Sequence, residues 1–210
     1  PGKPWMWKPE WANGIIRSSN RVQTMTAIAF ALLWNSISIP LAVMALVVDK
    51  AYRGNPAAFL ILLFPGVGIL LLCWAVRAVI HWRKFGESVF QMAPVPGVIG
   101  GQLGGVIRVP AHIDPEDGFH LTLTCLRVVT TGSGKHRHTT EHTLWEESRH
   151  LTRDLLKGNR AASAIPVLFA VPYDQPASDD SAATNEIRWR LRAEAAVPGI
   201  DYRAEFAVPV

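Results

Sequence analysis

The sequence predicts an α+β membrane protein, a two-helix transmembrane hairpin followed by an antiparallel β-sandwich of about seven strands, immunoglobulin-like or arrestin-like. Two uncharged runs, residues 22–48 and 54–76, are separated only by Asp49, Lys50, Ala51, Tyr52 and Arg53. They hold 27 and 23 residues. At about 1.5 Å per residue the longer reaches roughly 40 Å, against a bilayer core of about 30 Å, so both can cross with some tilt. Neither carries the polar stripe that a soluble helix shows to water. From Gly86 onward the pattern changes to short alternating segments divided by Pro, Gly, Asp and Ser clusters, which is the composition of an antiparallel β domain.

Charge divides the chain in the same place. Residues 1–85 carry nine Lys and Arg against Glu10 and Asp49, a net of +7, and the remaining 12 bases and 15 acids leave the rest at −3. The mean hydropathy of +0.16 averages over this division, and the pI near 9.4 comes from the flanks of the apolar runs. Basic groups there suit anionic lipid headgroups. A nucleic-acid partner would instead require a basic patch on the folded domain, so none is expected.

The organisation expected is residues 1–21 as a juxtamembrane interfacial segment, 22–85 as the hairpin and 86–210 as the sandwich. The first segment sets Trp5, Trp7 and Trp11 among Lys3, Lys8, Arg17 and Arg21. Tryptophan favours the headgroup layer because its ring is apolar and its N–H polar, and Trp82 has the same character after the second span. Within the spans, Asn35 lies at the depth of Pro65. Proline removes an N–H and frees the carbonyl four residues earlier, that of Ile61, so Asn35 is expected to donate near Ile61 and fix the packing of the hairpin. No ionisable group lies mid-span, which argues against a transport pathway.

Seven basic residues flank the outer ends of the spans, and two, Lys50 and Arg53, lie in the connecting loop. The positive-inside rule then places both termini in the cytoplasm, with two passes through a bacterial inner membrane. Cys73 and Cys125 read as two buried thiols, since a disulfide would have to join the span to the sandwich.

Strands are expected at 88–92, 105–109, 119–130, 139–146, 164–171, 187–195 and 202–208. In the last two, Ile187, Trp189, Leu191, Ala193 and Ala195 share one face, as do Tyr202, Ala204, Phe206 and Val208, with a Pro198-Gly199 turn between them. Residues 147–157 fit either a short helix ending at Gly158 or a continuing strand. The polar stretch 174–185 reads as a loop.

Two motifs invite chemistry. The glycines of 97–105 resemble a phosphate-binding loop, but a strand pattern follows rather than a helix, so close strand approach or a bulge explains them better. His136, His138 and His142 would share one strand face, which makes a metal site sterically conceivable; a solvated hairpin tip after 131–134 has the same composition. There is no serine elbow, no framed carboxylate pair and no Cys beside His, so no catalytic residue and no cofactor is assigned and the chain does not read as an enzyme.

Several short stretches resemble a bacterial family of uncharacterised two-pass membrane proteins with a β-sandwich domain. They are Gly2-Lys3-Pro4-Trp5, Trp11-Ala12, Phe85-Gly86-Glu87-Ser88, Pro96-Gly97, Gly100-Gly101, Leu144-Trp145-Glu146, Ile165-Pro166-Val167, Ile187 to Leu191, Pro198 to Tyr202 and Phe206 to Val210. The resemblance implies the architecture above and no activity. The expectation is a non-catalytic inner-membrane protein in contact with lipid, whose sandwich acts as a protein-interaction or accessory-subunit module for a membrane or cytoplasmic protein. The alternative is a membrane-anchored sensor or receptor for a small molecule or metal.

Overall fold

The computed structural model describes residues 9–48, 50, 53–132, 137–152, 157–159, 162–179 and 184–210. The chain divides into two compact units, Asn20–Arg83 and a second formed by Pro1–Ser19 with Lys84–Val210.

The first unit is helical. Helix α2 (Asn20–Val43; α1 is the single turn Pro9–Ala12) continues into one wider turn over Met44–Val48. A tighter 3₁₀ stretch, Pro56–Leu62, then leads into α3 (Leu63–Phe85). Asn55 starts the 3₁₀ stretch, its side-chain oxygen accepting from the Ala57 N–H at 2.9 Å. Both helices are long and apolar enough to cross a membrane. Small residues bring them together, with Ala27, Ala31 and Ala75 buried against Ile28, Leu71 and Ala78. Thr24, Ser38 and Ala42 of α2 are buried as well. In the most apolar windows only 17% and 11% of residues are buried. All the exposed large apolar side chains of the described chain except Ile15, Val98, Leu168 and Tyr173 lie on this unit.

The second unit is antiparallel β. Its strands are β1 (Ile15–Arg17), β2 (Val89–Met92), β3 (Gln102–Val109), β4 (Phe119–Thr131), β5 (His138–Leu151), β6 (Lys157–Asn159), β7 (Ala162–Ala170), β8 (Asn185–Ala195) and β9 (Tyr202–Val208). They form two sheets, ordered β1-β2-β3-β7-β6 and β5-β4-β8-β9. One core joins them: Phe90, Leu103, Ile107, Ile165 and Phe169 from the first sheet pack with Leu121, Leu123, Trp189, Leu191 and Phe206 from the second. The alternation of 187–195 and 202–208 buries the faces expected of it, Ile187, Trp189, Leu191, Ala193 and Ala195 on one strand and Tyr202, Ala204, Phe206 and Val208 on the other.

All seven expected strands are present, and the stretch after 146 continues as strand to Leu151. Strands β1 and β6 are additional. At three residues each they are too short to show a period, and pairing with β2 and β7 defines them. Within residues 1–21, read from sequence as an interfacial segment, Ile15–Arg17 forms β1 of the first sheet, with Ile16 in the core. The Ser18 N–H donates to the Ser88 carbonyl at 2.9 Å, so the two places where the β unit is joined to the helices, after Ser19 and before Lys84, leave it from adjacent strands.

Of the glycines of 97–105, Gly105 serves close strand approach. A side chain on Gly105 would meet the Gln91 carbonyl oxygen on β2 at 2.2 Å, and its φ of 157° is itself unusual for other residues.

Candidate functional site

Two features of the β unit present shape and unused bonding capacity. The first is a cleft of about 860 Å³ at one end of the sandwich. Its walls are the loop carrying Pro96 to Ile99, the loop carrying Ala177 to Asp179, the start of β8, the last residues from Ala207 to Val210, and Trp11. Both lining tryptophans spend their indole N–H on protein. Trp11 donates to the Ala207 carbonyl at 3.0 Å and Trp189 to the Pro176 carbonyl at 3.0 Å, which leaves apolar ring surface to the cleft. Ser178 is engaged at its backbone and hydroxyl, its N–H donating to the Val210 carbonyl at 2.7 Å and its Oγ accepting from the Val210 N–H at 3.1 Å. Arg188 donates from Nε to Glu186 at 2.8 Å. The described lining thus offers apolar surface with one hydroxyl, two carboxylates and a guanidinium, in the size range of small-ligand clefts. Among the described lining residues there is no histidine, cysteine or lysine beside Ser178.

The second feature is the edge of the second sheet. At its β9 side two outward carbonyls are taken, Glu205 by the Ser19 N–H at 3.1 Å and Ala207 by Trp11. At its β5 side, among the described residues, this strand of 14 residues pairs only with β4. Its two halves differ. Cys125 pairs with Trp145 and Leu126 with Thr143, so Leu144 is the extra residue of a bulge. Beyond it Trp145 turns inward to contact Trp189, with ring centres 5.7 Å apart. Arg149 lies 5.4 Å over the Phe169 ring of the opposite sheet, with Glu147 bonded to its Nε at 2.9 Å. Bulges and inward charges on an edge strand are devices against unwanted pairing. They guard residues 144–151 and leave 138–143, all exposed, unguarded.

The outward face of this sheet is a closed polar lattice. Arg190 reaches Glu141 at 3.3 Å and Glu205 at 3.1 Å, Arg192 reaches Glu205 at 3.3 Å, and Arg203 reaches Glu194 at 2.6 Å. In these pairs three arginines are matched by three glutamates.

The residues singled out from sequence fall as follows. Asn35 does bond across the helices, but to Gly68 at 3.1 Å and within its own helix to Ala31 at 2.8 Å, and not near Ile61. The reason is that Pro65 stands in the first turn of α3, where a missing N–H breaks nothing; the irregular backbone lies before it in the 3₁₀ stretch. Trp34 adds a bond from its indole to the Phe64 carbonyl at 2.8 Å, unforeseen in the sequence. Trp82 is exposed on α3, whereas Trp11 packs against the β core. Trp5 and Trp7 lie outside the described residues. So does His136, and His138 and His142 are four residues apart on one strand, about 13 Å at 3.3 Å per residue, too far to share an ion. Among the described residues no three His, Cys, Asp or Glu side chains are grouped to hold a metal. Both cysteines are free; Cys125 is buried as expected, but Cys73 is exposed on its helix.

No family model matches this chain. No curated protein matches it either. Among solved structures it is similar to the sporulation control protein Spo0M from Bacillus subtilis, at 13% identity and a TM-score of 0.38, over 59% of this chain and 48% of that one. This chain therefore spans about half the length of that protein.

Proposed function

We propose that the chain is a non-catalytic, two-pass bacterial inner-membrane protein whose β domain, an immunoglobulin-like or arrestin-like sandwich, docks another protein as an accessory subunit or scaffold. Lipid is the solvent that accounts for the helical unit. Large apolar side chains such as Leu32, Leu63 and Leu70 are each more than 60% exposed, and in water each would forgo roughly 1.5–3 kcal/mol of burial. The basic flanks orient both ends to the cytoplasm. Reporter fusions at the two ends are expected to report the cytoplasm, and an extracytoplasmic signal from either would refute the orientation.

The docking role rests on one observation, the unguarded half of β5. A free strand edge accepts a partner strand through main-chain hydrogen bonds, with alternate side chains supplying specificity. Affinity purification in mild detergent is expected to return a stoichiometric partner, and proline at Thr139, Thr140 or Thr143, tried singly, should release it at the positions whose N–H faces outward. Recovery of the protein alone would count against docking.

A second reading, a receptor for a small molecule, is supported by the cleft between Trp11 and Trp189. Mass spectrometry of purified protein would favour it by finding a bound compound lost on Trp11→Ala.

A further inference from the structure

We propose that His120 on β4 and His150 on β5 form a site for a divalent transition ion, held by one nitrogen of each ring with water completing its coordination. The two residues are directly paired across the strands, and their ring centres stand 4.5 Å apart at a 43° tilt. A zinc–imidazole bond of about 2.0–2.1 Å puts each ring centre roughly 3.2 Å from the ion, and two rings bound at a tetrahedral angle are then about 5.2 Å apart, a little more than the observed separation. Direct cross-strand pairing therefore holds both rings within reach of one ion, and rotation of the two side chains is what would aim a nitrogen of each at it. Both rings are exposed, so an ion can enter and keep its remaining waters.

The frame is stiff. Strand β4 is paired on both sides, to β5 and to β8. One row along the same face, the hydroxyls of Thr122 and Ser148 are 3.1 Å apart. On the other flank of His120 stands Glu194, whose carboxylate is engaged by Arg203 at 2.6 Å and is not counted as a ligand. Two imidazoles and water make an exchangeable site, in contrast to the four protein ligands of a structural zinc. Imidazole ligands favour Cu²⁺, Zn²⁺ and Ni²⁺ and discriminate against Mg²⁺ and Ca²⁺, which require oxygen. An ion here would also tie β5 to β4 near the guarded end of the open strand.

The test is calorimetric titration of the full chain in detergent, without a polyhistidine tag, using Zn²⁺ and, separately, Mg²⁺. One equivalent of Zn²⁺ is expected to bind, with affinity falling at least tenfold in His120→Gln and in His150→Gln and unchanged in His138→Gln and His142→Gln. Zn²⁺ should raise the melting temperature of the wild type and not that of the first two variants, since an ion that binds only the folded state stabilises it. Absence of saturable Zn²⁺ binding, equal binding of Mg²⁺, or unaltered affinity in His120→Gln and His150→Gln would overturn the proposal. Because both residues are exposed, matching melting temperatures without metal are expected to show that the variants fold.

Discussion

Asn35 and Gly68 fit one another so closely that neither position is free to change alone. The Asn35 amide donates to the Gly68 carbonyl at 3.1 Å, and a Cβ on Gly68 would lie 2.3 Å from the Asn35 side-chain oxygen. Asn35→Ala should cost about 0.6 kcal/mol, the average for a hydrogen bond between membrane helices. Gly68→Ala should cost about 1 kcal/mol with Asn35 present, because the amide must swing away. With Asn35→Ala in place the same change should be neutral or stabilising, since alanine is the better helix former by roughly 1 kcal/mol. Thermal unfolding of the four proteins in detergent measures the cycle, and additive effects would show that the two residues do not interact.

Tyr202 is buried between Phe85 and Phe119, at ring-centre distances of 5.3 and 5.9 Å, and its hydroxyl donates to the buried Ser88 Oγ at 3.0 Å. Tyr202→Phe should cost about 1–2 kcal/mol by leaving Ser88 without this partner. Burial holds the Tyr202 phenol well above its ordinary value, and the Ser88 bond offsets only part of that. Above pH 10 the unfolded phenol ionises while the folded one keeps its proton. Stability should therefore be fully present below pH 10 and fall as pH rises beyond it. Tyr202→Phe should fall less steeply over that range, and a slope equal to the wild type would exclude Tyr202 as its source.

Burial also raises the Cys125 thiol to about 11, with Arg127 pulling weakly the other way. A thiol both enclosed and protonated is a poor nucleophile. At neutral pH a water-soluble maleimide should leave Cys125 unlabelled in folded Cys73→Ser protein and label it on denaturation. Rapid labelling without denaturant would show that the second sheet opens at β4.

Gly105→Ala should be among the most damaging single changes in the sandwich. The added carbon would meet the Gln91 carbonyl at 2.2 Å and the Phe90 ring at 2.8 Å, and the first contact is backbone that cannot step aside. A loss of about 3 kcal/mol is expected from such overpacking and strain. Chemical denaturation of the detergent-solubilised chain checks it, and a loss under 1 kcal/mol would mean that β2 and β3 separate easily.

The strands and helices were legible because period and length are local properties. The alternation of Ile187 to Ala195 needs no knowledge of its neighbours, and an uncharged run of 27 residues announces itself. Register is not local. His120 and His150 are 30 positions apart and meet only because β4 and β5 pair as they do, whereas His138 and His142, close in sequence, are held apart by an extended backbone. The partner of Asn35 was misplaced for a related reason: the start of α3 is fixed by the 3₁₀ turn before Leu63, and nothing in an apolar run marks that boundary. Strand β1 has three residues, and its place at the sheet edge comes from its ladder to β2.

The division of β5 into a guarded and an open half makes a prediction in each direction. Glu147 and Arg149 are half-buried on the core side of β5, with Arg149 over the Phe169 ring, so valine at both positions would set apolar side chains there and restore an ordinary alternating edge. Such an edge is a template for a second copy, because its row of N–H and C=O groups no longer stands beside inward charges that a docking strand would have to desolvate. Glu147→Val with Arg149→Val should therefore raise the protein's mass in light scattering from its wild-type value to a larger assembly, with thermal stability equal or higher. Lysine at Thr140 and Thr143 should do the opposite on the open half, weakening partner recovery without changing self-association. If the double valine variant keeps the wild-type mass at the same concentration, the inward pair is not what keeps this edge from pairing, and the Leu144 bulge is left as the guard.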